Sequence, residues 1–267
     1  MRLSGQMTDP PILEHKNYAA PTVFGPDALL REARRQKGIA VGTVPAVCVL
    51  DPDGDLVRRL ALPGRGRVDR TWACYHTQLI RVVESELEFG IVGYAVGASF
   101  AVLVAEELFA SGCRLLISMT SAGQLLAVRA PPYFVLIEKA LRDEGTSYHY
   151  LPPSEFSTAD ESLLRRLTRA FDELSVPVER GGTWTTDAPF RETAEAIAAM
   201  GAKGLLAVEM EAAALYAFAR ARAKAVVCFA HVTNQMGRVE QDFEKGEADG
   251  TVDALAVIRR TAQSLRC

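Results

Sequence analysis

At 267 residues, 49% of them hydrophobic and 24% charged, the chain has the composition of a folded globular protein, which excludes disordered, collagenous and fibrous classes. Its 30 Lys and Arg against 33 Asp and Glu leave a net charge of -3, so there is no basic field for non-specific nucleic-acid binding. Five cysteines, odd in number and without C-x-x-C spacing, argue against a disulfide framework and a zinc site, and no uninterrupted apolar stretch reaches 18 residues.

In chain order, residues 1–6 lack an apolar leader, and residues 1–45 read as an N-terminal extension packed on one domain spanning 46–267. Pro26 at the first helical position and Gly38 as a stop bracket a helix over 27–37. A strand follows at 46–50, a surface loop at 63–67, a strand at 89–92, a helix at 99–111 and a strand at 114–119. The chain then predicts a helix at 132–144, a strand at 147–151, helices at 159–174, 191–200 and 209–222, a strand at 225–232 and a last helix at 253–265. Gly112, Gly145 and Gly201 are the expected left-handed closures of the helices before them. Buried strands alternating with helices mean an α/β fold. The expected setting is cytoplasmic, with no membrane or nucleic-acid partner.

Four segments carry chemistry. The apolar run Leu205-Leu206-Ala207-Val208 leads into Glu209-Met210-Glu211 and then Ala212-Ala213-Ala214. Acids at a helix N-terminus complement its macrodipole. Acids that follow a buried strand also reach the crevice outside the strand carboxyl ends, where α/β ligands bind. A desolvated carboxylate there needs donors, and the vicinal hydroxyls of a sugar supply them. Gly93-Tyr94-Ala95-Val96-Gly97-Ala98-Ser99 takes a strand into a helix start, with Gly97 permitting close backbone approach. Ser118-Met119-Thr120-Ser121-Ala122-Gly123 takes a strand into a hydroxyl-bearing turn. Asp51-Pro52-Asp53-Gly54-Asp55 reads as a surface β-turn ahead of Leu56-Val57-Arg58. Among the histidines, His231 ends a strand and is a candidate to line the site, whereas His149 reads as structural. No metal-ligand spacing and no dinucleotide or P-loop glycine motif occurs.

These segments, in this order, resemble the nucleoside phosphorylase superfamily that includes uridine phosphorylase, bacterial purine nucleoside phosphorylase and methylthioadenosine nucleosidase. The resemblance runs over about residues 47–232 and is nearest to the uridine phosphorylase-like members, whose segment before the acidic motif is matched by Gly182-Thr183-Trp184-Thr185-Thr186-Asp187-Ala188-Pro189-Phe190. It implies a three-layer α/β/α sandwich with a mixed central sheet. It further implies Glu211 on the ribose 2'- and 3'-hydroxyls, Met210 beneath the sugar and Glu209 beside it. Phe190 or Trp184 would stack on the base, and Asp187, Gly97 and Gly123 would complete the nucleoside pocket. Gly54, Arg58 and Ser121 would hold phosphate, assisted by Arg70 or His76 from a neighbouring subunit. The implied reaction is phosphorolysis to free base and ribose 1-phosphate in nucleoside salvage, with phosphate as co-substrate, no cofactor, and a homo-oligomer that is a dimer or trimer of dimers.

Two departures bear on that reaction. Where the family has an arginine gripping phosphate, this chain has Ser118, a loss of about 1.5–3 kcal/mol of anion affinity. Where purine-specific members protonate the leaving base with an aspartate, it has Asn234, an amide that is no general acid but can hydrogen-bond a base carbonyl or amino group as a catalytic candidate beside Glu211. A nucleosidase using water and a catalytically weak nucleoside-binding protein therefore stand as alternatives to the phosphorylase.

Overall fold

The computed structural model describes residues 10–84, 86–236 and 242–265; residues 1–6 and one of the five cysteines, Cys267, lie outside them. In chain order the elements are α1 (Pro26–Lys37), β1 (Val47–Asp51), α2 (Asp55–Leu60), β2 (Gly66–Val68), β3 (Ile80–Glu84), β4 (Leu87–Gly93), α3 (Ala98–Ala110) and β5 (Leu115–Gln124). They continue with β6 (Tyr133–Asp143), β7 (Phe156–Thr158), α4 (Glu161–Arg166), β8 (Val178–Thr186), α5 (Ala194–Ala202), β9 (Leu205–Glu209), α6 (Ala212–Arg222), β10 (Ala225–Asn234) and α7 (Thr251–Ser264).

The strands form one mixed sheet in the order β10-β6-β8-β9-β5-β1-β4-β3-β2, with β7 on β6. Because β10 also pairs with β5, the strands β5, β9, β8, β6 and β10 close into a small barrel, from which β1 to β4 extend as an open wing. Strand alternation sorts the core into two layers. On β5, Leu116 and Ala122 pack toward α3 and α6, while Leu115, Ile117 and Met119 pack toward α2 and α7. Residues 212 to 218 of α6 are buried on every side, which suits a helix lying between the barrel and α3. Outside α3, α1 sets Leu30 and Ala33 against Ala73 and Ala110, and Gly38 closes it at φ 62°.

Several elements depart from the sequence reading. The helix expected over 132–144 is β6, whose Tyr133, Val135 and Ile137 face one core while Phe134 and Leu136 face the other. A strand buried on both faces shows no polar alternation, so its apolar run is indistinguishable from a buried helix by pattern. The strand expected over 147–151 is instead a 3-10 turn, Thr146–His149, folded around Arg142, which donates to the Ser147 hydroxyl (2.8 Å) and the carbonyls of Leu151 and Pro152. The loop at 63–67 contributes to edge strand β2, and the helix expected over 159–174 ends at Arg166. Gly145 has φ -85° because no helix precedes it, and Gly201 lies within α5, whose left-handed exit is Gly204. Gly112, at φ 107°, follows α3 as expected.

Candidate active site

Strands β4, β1, β5 and β10 run parallel, so their carboxyl ends share one edge, the place where open α/β sheets bind ligands. Strand β9 brings the acidic motif to it. Glu209 is buried and fully engaged: one carboxylate oxygen accepts from the Thr183 (3.1 Å) and Thr185 hydroxyls, the other from the N–H groups of Glu211 and Ala212 at 2.7 Å each. It thereby caps α6 and fixes where the next acid points. The sequence placed Glu209 beside the sugar; the structure uses its oxygens on the protein itself.

Glu211 is 1% exposed. Its Oε1 accepts the Gly97 N–H at 2.7 Å and its Oε2 accepts the Thr120 hydroxyl at 2.9 Å, with the Met210 N–H at 3.3 Å. Gly97 reaches it at φ 86°, a backbone state suited to glycine. Burial, and then the charge of Glu209, push the Glu211 carboxyl up to about 8. Two adjacent hydroxyls donating to Glu211 would stabilise its ionised form, in which a carboxylate has about four acceptor sites, more than Gly97, Thr120 and Met210 occupy.

A second acidic group lies one residue further along β5. The turn after β1 aims Asp53 at β5, where its carboxylate accepts the Ser121 N–H at 2.7 Å. The turn is set by Gly54 and Asp51: the Asp51 carbonyl accepts the N–H groups of Gly54 (3.0 Å) and Tyr94 (3.1 Å), and its carboxylate accepts the Val57 N–H at 2.8 Å. Burial, opposed by that hydrogen bond and aided by the charges of Asp53 and Asp55, raises Asp51 to about 7. Asp55 pairs with Arg58 and with Lys245 Nζ (2.6 Å). A half-open pocket of about 20 Å³ is lined here by Asp51, Asp53, Asp55, Ser121, His231 and Asp249 among others. That is room for one water with several polar partners. His231, stacked on Phe134 with ring centres 4.4 Å apart, is lowered to about 4 by burial and then by Lys245, so it is a neutral wall of this cavity.

The expected phosphate ligands are thus committed elsewhere. Ser121 gives its N–H to Asp53, and Arg58 donates to the Asp53 carbonyl (3.0 Å) and the Asp55 carboxylate. Ser118 is buried on β5 between Leu50 and Cys228, its hydroxyl without a partner among the described residues. Arg70 is exposed beside Arg67 and Arg81 in a cleft of about 670 Å³ that does not include Glu211, and a cleft of about 540 Å³ near Arg220 does not either. His76 lies edge-on to Phe100 of α3. Gly54, at φ 78°, lies under the Tyr94 ring, where a Cβ would come within 2.1 Å of Cε1. Gly54→Ala should lower stability by about 1–3 kcal/mol from overpacking and backbone strain, read as a lower urea midpoint at unchanged slope.

The base-side candidates separate. Asn234 ends β10 opposite Gly123 and accepts the Met236 N–H at 3.0 Å, and a Cβ on Gly123 would meet Met236 Sδ at 2.1 Å. Phe190 is 99% exposed in the turn Pro189–Arg191. Trp184 points to the face of β8 opposite Thr183 and Thr185, into a core with Leu125, Leu141, Leu205 and Val208, and donates to Asp143 at 2.9 Å. Its expected stacking on a base is therefore corrected by strand alternation. Trp184→Phe should cost about 1–2 kcal/mol in thermal or urea unfolding through the stranded Asp143 acceptor, with substrate KM unchanged. Asp187 accepts the Gly145 N–H at 2.9 Å and ties two loops together.

Sequence reasoning did not single out Thr120, Thr183 and Thr185 as carboxylate donors, although Thr183-x-Thr185 has the period that puts both on one strand face. Nor did it single out Asp53, Tyr94, Lys245 or Asp249. Among the described residues, no helix is long and apolar enough to cross a membrane.

The site can be set beside known proteins. Residues 55–263 match the model of the phosphorylase superfamily. The chain is 27% identical over 183 residues to guanosine phosphorylase of Halorubrum lacusprofundi, covering 64% of this chain and 76% of that one. It is 29% identical over 131 residues to the DeoD-type purine nucleoside phosphorylase of Myxococcus xanthus, covering 48% and 55%. In fold it is similar to uridine phosphorylase from Vibrio fischeri (TM-score 0.69, 21% identity, 84% of this chain and 91% of that one). It is also similar to purine nucleoside phosphorylase from Toxoplasma gondii in complex with immucillin-H (TM-score 0.68, 17% identity, 83% and 91%). With the matched model covering most of its length and the mixed α/β sheet of the solved nucleoside phosphorylases around the acidic motif, this chain belongs to the phosphorylase superfamily.

Proposed function

We propose that the protein cleaves the N-glycosidic bond of a ribonucleoside and transfers the ribosyl carbon to water. The nucleoside class follows from Glu211, a buried carboxylate held by Gly97 and Thr120 with acceptor capacity left for a vicinal diol, and from relatives whose names describe nucleoside phosphorylases. The choice of water rests on one observation. The Ser121 N–H and the Arg58 guanidinium, the donors expected to bind phosphate, face carboxylates of the Asp53 turn, and the cavity beside them is one water in size.

In this reading Glu211 fixes the sugar through its 2'- and 3'-hydroxyls. The C1'–N bond lengthens, its electron pair leaves with the base, and positive charge grows on the ribosyl ring. The carboxylates of Asp53 and Glu211 are preorganised to stabilise that charge. Water then adds to C1' as Asp53 accepts its proton. Asn234 hydrogen-bonds to the base and supplies no proton, so the departing base takes one from solvent. The protein's own electrostatics favour this path: an acid-lined pocket suits a cationic sugar and opposes a phosphate dianion.

The test is incubation with a panel of purine and pyrimidine nucleosides, with and without phosphate, followed by chromatography for free base. Base release unchanged by phosphate is the expected outcome, whereas release that requires phosphate establishes phosphorolysis in its place. If no nucleoside is cleaved while binding still raises Tm in a Glu211-dependent way, the protein is a nucleoside binder and the enzymatic reading fails.

A further inference from the structure

Tyr94 has a backbone state that costs an aromatic residue strain, φ 66°, yet its side chain is 56% exposed and contributes little to the core. Three contacts hold it there. Its N–H bonds to the Asp51 carbonyl at 3.1 Å, the acceptor that also takes the Gly54 N–H. Its ring lies against the Cα of Gly54 so closely that no side chain fits between them. Its hydroxyl neighbours Arg58, whose guanidinium bonds to the Asp53 carbonyl. The contacts fall on Asp51 and Gly54, which bracket Pro52-Asp53, and on Arg58, which bonds to the Asp53 carbonyl. Strain kept at such a place, with nothing gained in the core, marks a side chain that holds a neighbouring functional group.

We propose that Tyr94 is a positioning residue: by clamping Asp51, Gly54 and Arg58 it keeps the Asp53 carboxylate seated on the Ser121 N–H, which reserves that donor and makes the pocket a site for water and not for an external oxyanion. The proposal rests on the hydrolytic reading. Without the ring, Gly54 loses its ceiling, the turn gains freedom, and Asp53 separates from Ser121. The freed Ser121 N–H is then a donor for a tetrahedral anion.

The experiment compares wild type, Tyr94→Gly, Tyr94→Asn and Tyr94→Phe as full-length proteins, in kinetics without phosphate and in calorimetric titration with inorganic phosphate. Glycine and asparagine both accept the left-handed backbone, so these variants should melt no lower than wild type. Both should lose about 10- to 100-fold in kcat with little change in KM, as expected for a displaced catalytic group. Both should also give binding heat at phosphate concentrations where wild type gives none. Tyr94→Phe keeps the ring over Gly54 and should recover most of the lost rate. Unchanged kcat in Tyr94→Gly and Tyr94→Asn overturns the proposal, and so does the absence of phosphate binding in both. If wild type itself requires phosphate, the hydrolytic reading and this proposal both fail; if wild type cleaves without phosphate but the variants match it, this proposal alone fails.

Discussion

Replacing Glu211 by glutamine is expected to lower kcat/KM for nucleoside cleavage by about 10²- to 10⁴-fold. Two hydroxyl-to-carboxylate hydrogen bonds lose their charge, each being worth about 1.5–3 kcal/mol, and about 1.4 kcal/mol corresponds to tenfold. The larger part of the loss should fall in kcat, because the anionic oxygens also face the positive charge that grows on the sugar. The fold should survive, since the amide carbonyl still accepts from Gly97 or Thr120 and no charge has to be buried. Stability against pH checks that point. The Glu211 carboxyl is raised from 4.5 to about 8, so between those values the folded protein holds a proton that the unfolded chain releases. Wild-type stability from this group is therefore full below about pH 4.5 and is lost as pH rises through about 8. Glu211→Gln should show a shallower decline in urea midpoint over that window, with the share from the neighbouring Glu209 remaining.

Asp53→Asn should reduce kcat by about 10²- to 10⁴-fold, the usual worth of a general base, while KM changes little. The amide oxygen still accepts the Ser121 N–H, so the turn stays closed and only proton acceptance is removed. That separates chemistry from architecture. A structural role alone predicts near-normal turnover in Asp53→Asn, and a rate close to wild type would remove Asp53 from the mechanism. Asp53→Gly, by contrast, also frees the Ser121 N–H and should be inhibited or redirected by phosphate in a way that wild type is not.

Glu211 was legible in the sequence because its motif joins two strong local signals, an apolar strand and an alanine-rich buried helix, and a carboxylate between them has nowhere else to go. The α/β class was legible for the same kind of reason, from short apolar runs at β1, β4, β5 and β10 that alternate with helical segments. Strand β6 was not, because residues that meet a different core on each face carry no alternation. Trp184 misled because composition reveals an aromatic near a site but not which face of β8 it takes, and Thr183 and Thr185 decide that by both reaching Glu209. The Asp53 turn was visible as a turn, yet its meaning depends on β1 lying beside β5, a pairing between residues some 70 apart that no local pattern encodes. The loss of the arginine at Ser118 pointed toward a weakened anion site; the structure adds that the Ser121 N–H, further along β5, is taken by the Asp53 carboxylate.

The most direct test is cleavage of a reactive nucleoside in H₂¹⁸O without phosphate, with mass spectrometry of the sugar. The mechanism predicts base release and free ribose carrying ¹⁸O at C1, at a rate that added phosphate does not raise; cleavage only when phosphate is present, with ribose 1-phosphate as the product and no ¹⁸O in the sugar, would contradict it.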